Sequence, residues 1–214
     1  MVRSVLLDSL QRGQNPRTAA LELVGKVNRS TGKRQGGFIG LTDQQSGYVR
    51  NAQDELRNLN RGYFSKSLRD KRYDATVGKA IKSGKPLPES VILRITGRYK
   101  DRLLKHRADG IAQTEMIDAL RAGRHEGYVQ LVESGAVVEE QITREWDSTG
   151  DRVVRPDHQI LDGQKVKGLT EPFLAPDGSR MMFPGDRSLG APTKQTIRCR
   201  CFEKVKINFR YETA

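Results

Sequence analysis

One change in the chain constrains its fold more than any other. Up to about Gly135, apolar side chains recur every three or four residues. After it, turn dipeptides arrive in quick succession: Asp162-Gly163, Pro176-Asp177-Gly178 and Pro184-Gly185-Asp186. The first pattern is that of helices with one buried face, and the second is that of short strands joined by tight turns. The expected architecture is α+β, with a helical N-terminal two-thirds followed by a small, loop-rich, β-containing C-terminal module. The dividing line gives a basic helical region over 1–135 and a module over 136–214. A chain of 214 residues is long enough for one or two domains with a real core. Aromatic residues are only 6%, so that core must be built from Leu, Ile, Val and Ala around a few rings.

Helix boundaries can be placed locally. Val5, Leu6 and Leu10 form a short stripe that Gly13-Gln14-Asn15-Pro16 breaks. Asn15 suits an N-cap and Pro16 the first helical position, with Ala19, Leu21, Leu23, Val24 and Val27 following. Residues 29–37 form a basic connector rich in small residues. Thr42 and Gln45 have capping-box spacing, so a helix starts there and carries Val49, Ala52, Leu56 and Leu59. Residues 61–72 look like a basic connection, and a further helix with Tyr73, Val77, Ala80 and Ile81 ends at Gly84. A helix restarts at Pro88 with Ile92, Ile95, Tyr99 and Leu103 on one stripe. Arg94, Arg98, Lys100, Arg102, Lys105 and Arg107 surround that stripe. A separate helix is expected over 108–133, where Gly110, Gly123 and Gly127 either weaken it or admit close helix–helix contact.

Beyond Gly135, strands are expected at Val137-Val138 and at Ile142–Trp146. A hairpin is expected around Asp177-Gly178, with Phe173-Leu174 on one side and Ser179–Phe183 on the other. One or two strands are expected between Ile197 and Tyr211.

Charge is distributed unevenly. Of the 38 Lys+Arg and 26 Asp+Glu, residues 1–107 hold 23 and 9, residues 108–150 hold 3 and 9, and residues 151–214 hold 12 and 8. The basic first half implies either a polyanionic neighbour or a solvated helical surface. Zinc-finger, RNP-type and helix-turn-helix patterns are lacking, so binding to nucleic acid would proceed through backbone neutralisation. No apolar run approaches the ~20 residues of a membrane span. Asp8 interrupts the short apolar patch of MVRSVLLDSL, which argues against a secretory signal.

The most informative segment runs from Trp146 to Cys201. It reads W-D-S-T-G-D-R-V-V-R-P-D-H-Q-I-L-D-G, then E-P-F, D-G-S-R-M-M-F-P-G-D-R and I-R-C-R-C. This order resembles the phage Mu F-like minor head proteins, the phage head morphogenesis family. That family shows a Trp, a T-x-D-x-R-V-R-x-x-H stretch, an L-x-G turn, a Phe, a P-G-D turn and a terminal C-R-C. Ile111-Ala112-Gln113-Thr114-Glu115 is similar to the family's I-A-R-T-E, and Gly127-Tyr128 follows at the corresponding distance. The likeness spans about 88–203. Gln113 departs from the family's Arg, and Val153-Val154 adds one residue before Arg155.

The resemblance implies a non-enzymatic minor capsid protein present in several copies, at or near the portal vertex or in the head interior. It would occupy the host cytoplasm during assembly. Its partners would be the portal protein, the major capsid protein and packaged DNA, with a role in head assembly and in DNA packaging or ejection. No membrane partner and no cofactor are expected. Two rival readings are a nuclease or toxin-like effector packaged in the virion and a sequence-nonspecific DNA-binding protein.

The residues themselves frame the chemistry. Asp147, Asp151, Arg152, Arg155, His158 and Asp162 crowd into one short run. A metal nuclease wants converging carboxylates and an open coordination position. Alternating acids and arginines suit an ion-pair network instead, with Arg152 and Arg155 able to pair bidentately. Cys199 and Cys201, at i and i+2, would face one side of a strand. With His158 they make three candidate zinc ligands, but the spacing is not C-x2-C and a fourth ligand is not evident. The simplest expectation is that both cysteines pack as small apolar residues, as Trp146 would, with no catalytic, cofactor or metal residue assigned. A Cys199–Cys201 disulfide would be strained. Neither Gly-x-x-x-x-Gly-Lys-Ser/Thr nor Gly-x-Gly-x-x-Gly occurs, which argues against nucleotide hydrolysis, and no nucleophile elbow is visible.

Overall fold

The computed structural model describes residues 1–31 and 34–209. Gly32 and Lys33 of the basic connector, and the segment from Arg210 through Tyr211 to the last residue, lie outside the described residues. The fold is α+β, as its sequence predicts: helices fill the N-terminal two-thirds and short strands the C-terminal part. Two compact units divide at Ala112/Gln113, within a helix, whereas the change from helix to turn follows Gly135.

The first unit, Met1–Ala112, is helical. Helices α1 (Val2–Gln11) and α2 (Pro16–Val24) bury Leu6, Ala19, Ala20, Leu23 and Val24. The Asn15 side chain accepts from the Thr18 amide at 3.0 Å, and Pro16 opens α2. The connector is more ordered than its composition suggests. Strands β1 (Lys26–Val27) and β2 (Arg34–Gln35) pair antiparallel. Gly25 and Gly37, both at φ 79°, bring two backbones so close that a Cβ on Gly25 would land on the main chain of Gln35-Gly36, and one on Gly37 on that of Val24-Gly25.

Helix α3 (Asp43–Arg57) opens on a complete capping box, with reciprocal Thr42–Gln45 bonds of 3.2 Å. Thr42→Ala is expected to cost about 1 kcal/mol, read as a lower thermal midpoint by far-UV circular dichroism; an unchanged midpoint would contradict the cap's role. Residues 61–72 form two 3₁₀ turns, Arg61–Ser65 and Lys71–Tyr73, rather than a bare basic link. Three bases of this stretch are paired: Lys66 with Glu55 at 2.6 Å, Arg69 with Asp74 at 2.9 Å and Arg72 with Asp70 at 2.6 Å. The Arg72 hydrogen bond holds the Asp70 carboxyl down to about 2. Helix α4 (Asp74–Ser83) stops at Gly84 in the left-handed region. Ala52, Leu56, Tyr63, Val77, Ile92, Ile95, Tyr99 and Leu103 form the core.

The expected break near residue 108 does not exist. Helix α5 runs unbroken from Glu89 to Glu133. A buried stripe of Ile92, Ile95, Tyr99 and Leu103 continues through Ala108, Ala112 and Met116, so nothing in the packing calls for a stop. Gly123 and Gly127 do not admit a neighbouring helix, since a Cβ on either would meet nothing within 4 Å. They are a local cost of about 1 kcal/mol each that the burial of α5 outweighs.

The second unit, Gln113–Ala214, holds the remaining strands. β3 (Ile142–Asp147) is the centre of a three-stranded antiparallel sheet, flanked by β4 (Lys165–Lys167) and β7 (Phe202–Ile207). Val137 lies in a bend and Val138 is extended, neither in a strand, and Glu139–Gln141 makes a 3₁₀ turn instead. Strands β5 (Phe173–Leu174) and β6 (Arg180–Met181) form the hairpin expected at Asp177-Gly178. Short helices α6 (Pro156–Leu161) and α7 (Thr193–Thr196) complete the unit. The two edge strands share one motif, Lys165-Val166-Lys167 and Lys204-Val205-Lys206, with the lysines exposed and the valines turned inward. Glu145 on β3 lies opposite Lys165 on one side and Lys204 on the other.

Candidate functional site

Strand alternation sets the site. Ile142, Arg144 and Trp146 are the buried face of β3. Trp146 and Phe173 meet edge-on at 5.3 Å, and Trp146 meets His158 at 5.2 Å. Leu161, Val166, Met181, Cys199 and Cys201 close the same core.

Arg144 is fully buried within this face. Its guanidinium donates to the Gly168 carbonyl at 2.6 Å, to the carbonyls of Met182 and Glu171, and to Glu203 at 3.1 Å. It also lies over the Phe173 ring at 5.4 Å. Burial pushes the Glu203 carboxyl up, against the pull of Arg144. The signal for this residue was available: Arg144 falls between Ile142 and Trp146 at period two, so it points inward with them.

The run from Asp147 to Asp162 behaves otherwise than its spacing suggests. No ion pair joins two of its members among the described residues: Asp147, Asp151 and Arg155 reach the C-terminal segment, Asp162 bonds within the run, and Arg152 makes no ion pair among the described residues. Asp147 takes Lys204 at 2.7 Å and Asp151 takes Arg200 at 2.7 Å. Asp162 accepts from the Ser148 amide at 2.7 Å, and Arg155 donates to the Ile197 carbonyl. The Arg200 hydrogen bond holds the Asp151 carboxyl below its ordinary range. Three of these side chains tie the run to the C-terminal segment, and Asp162 ties it to its own start.

His158, Cys199 and Cys201 do come together. The cysteines lie in irregular chain just before β7, not on a strand, and Arg198 at φ 53° turns the backbone there. Both are free thiols. His158 Nδ1 is 3.7 Å from Cys199 Sγ and 3.4 Å from Cys201 Sγ. Its Nε2 lies 3.0 Å from Gln195 Oε1, and the Gln195 amide nitrogen donates to Asp157 at 2.5 Å and Asp177 at 2.9 Å. A Cys201–Cys199 hydrogen bond draws the Cys199 thiol down and pushes the Cys201 thiol up. Gln195, Asp157 and Asp177 were not singled out from sequence, because their link to His158 exists only after folding.

The family-like segment at the start of this unit braces the same loops. Thr114 Oγ1 accepts from the Arg198 amide at 3.1 Å, and Glu115 pairs with Arg187 at 3.0 Å. Arg121 donates to the carbonyls of both Cys199 and Cys201. Asp118 pairs with Arg187 at 3.2 Å, yet burial raises its carboxyl to about 6. Gly185, at φ 91°, sits against this pair: a Cβ there would lie 2.6 Å from an Asp118 oxygen.

These motif residues are therefore one packed assembly, in the order the sequence presents them. No curated protein and no solved structure matches the chain. The family model described as Phage Mu protein F like protein matches residues 72–203, which takes in α4 and the first turns of α5 as well as the second unit's motifs. On that match, the chain belongs to the Phage Mu F-like family of phage head morphogenesis proteins.

Proposed function

We propose that this protein is a non-catalytic minor component of the phage head, placed at or near the portal vertex, where it takes part in head assembly and meets packaged DNA. The observation that carries the reading is the conversion of the motif residues into internal bracing. Asp147, Asp151, Arg155 and Asp162 are engaged with Lys204, Arg200, the Ile197 carbonyl and the Ser148 amide. His158 is 1% exposed, which leaves no open acid/base group there for a substrate. The second unit thus acts as a rigid module, and the surfaces of the chain make the contacts with portal or capsid protein.

The contact with DNA falls to the first unit. Arg94, Arg98 and Lys100 are exposed on α5 and line a groove with Arg34, Leu93 and Asp101. Arg34 is taken by Asp101 at 2.6 Å, whereas Arg94, Arg98 and Lys100 have no ion pair among the described residues. Three unneutralised cations on one helix suit phosphate oxygens. No helix of the described chain is long and apolar enough to cross a membrane.

Purified proheads and virions probed with an antibody to the protein test the placement; absence from both refutes it. In the same preparations, Arg94→Gln/Arg98→Gln/Lys100→Gln should leave incorporation intact. The purified triple variant should bind duplex DNA more weakly, with its log–log salt slope shallower by about 3. An unchanged slope removes DNA from the proposal.

A further inference from the structure

We propose that His158, Cys199 and Cys201 form a buried zinc site that closes the core of the second unit. The geometry is that of a ligand set. The three donor atoms all lie within 4.8 Å of one another, and each residue is buried. Zinc–sulfur bonds of about 2.3 Å and zinc–nitrogen bonds of about 2.0–2.1 Å, meeting at a tetrahedral angle, set sulfur and nitrogen about 3.6 Å apart. The two sulfurs lie 3.7 and 3.4 Å from His158 Nδ1.

Ordinary hydrogen bonding leaves this arrangement poorly served. A neutral imidazole has one lone pair, and two sulfurs converge on it, so only one S–H can donate to it and the other is left to the weak acceptor of the neighbouring sulfur. A cation uses all three donors at once. Its double positive charge is balanced by two thiolates, which makes the complex neutral and suited to a core that also contains Trp146, Phe173 and Met181. Binding one ion displaces the thiol protons to solvent. These three are the protein donors, since no fourth His, Cys, Asp or Glu joins the group among the described residues.

A second observation is independent of the donors. A histidine ligand normally hands its other ring N–H to a fixed acceptor, which sets tautomer and orientation. Gln195 does this here. Its amide nitrogen is claimed by Asp157 and Asp177, so its oxygen must face His158 Nε2. The proton is thereby held on Nε2, and Nδ1 is left as a lone pair aimed at both sulfurs. Arg121 fixes the loop from behind through the Cys199 and Cys201 carbonyls. The sequence spacing favoured two small packing residues; the folded geometry assigns them ligand positions. This inference does not depend on where in the phage head the protein sits.

The test uses the full chain, expressed with zinc in the medium and analysed by native mass spectrometry and elemental analysis. About one zinc per chain is expected, with a fall in the thermal midpoint on chelation. Cys199→Ser/Cys201→Ser should lose the metal. Because that variant can also misfold, Gln195→Ala is the companion: it keeps all three ligands and should weaken zinc affinity about 10–100-fold. The cobalt-loaded protein should show a sulfur-to-metal charge-transfer band. Wild-type protein with less than about a tenth of an equivalent of zinc overturns the site, as does metal retained by the double-serine variant.

Discussion

Arg144→Met is expected to destabilise the second unit by about 3–5 kcal/mol, because it leaves a buried carboxylate and three carbonyls without their donor. Those groups are Glu203 and the Gly168, Met182 and Glu171 carbonyls. The chain has one tryptophan, Trp146, and it lies in this core, so urea unfolding followed by its fluorescence reports the right unit. The loss should depend on pH. Glu203 is already pushed up by burial, and without Arg144 it rises further. The folded state then holds a proton that the unfolded chain releases above the ordinary carboxyl range. Stability of the variant therefore falls as pH rises through that window and is best preserved in acid. Adding Glu203→Leu should recover part of the loss, since a well-packed apolar pair avoids the desolvation cost of two charges. A single-variant loss below about 1 kcal/mol, flat with pH, would show that Arg144 is not the organiser described.

Phe173→Ala is the second large effect, expected at about 3–5 kcal/mol. Phe173 is fully buried, meets Trp146 edge-on, and carries the Arg144 guanidinium over its ring. Truncation removes both contacts and leaves a cavity beside the only tryptophan, so the folded-state emission should shift as well as the urea midpoint. Coupling with Arg144→Met should be non-additive, because the two side chains share one contact. Additive losses in a double-mutant cycle would place the two residues in separate clusters.

Local signals in the sequence translated directly into structure. Asn15 with Pro16, Thr42 with Gln45, and Gly84 mark helix ends because each works through its own neighbours. The Asp177-Gly178 hairpin is equally local. The unbroken α5 was not legible, since glycine propensity is a nearest-neighbour quantity and the packing that overrides it is not. The partners of Asp147 and Asp151 were not legible, since they lie far along the chain. Likewise, the convergence of His158 with Cys199 and Cys201 could be listed as a possibility from residue types alone. Its orientation through Gln195 depends on α6 and α7 meeting, which no spacing rule contains.

The paired Lys-Val-Lys edges bear on crowding. A three-stranded sheet offers two rows of unpaired backbone groups, each a template for another strand. Copies of one protein confined in a shell at high local concentration are exposed to that hazard more than a dilute enzyme. Here the β4 or β7 edge of a second copy docking on either edge would bring lysines towards lysines, at Lys165 and Lys167 on one side and Lys204 and Lys206 on the other. Like charges directly opposed disfavour the pairing. The lysine pairs thus guard both edges of the sheet against a second copy.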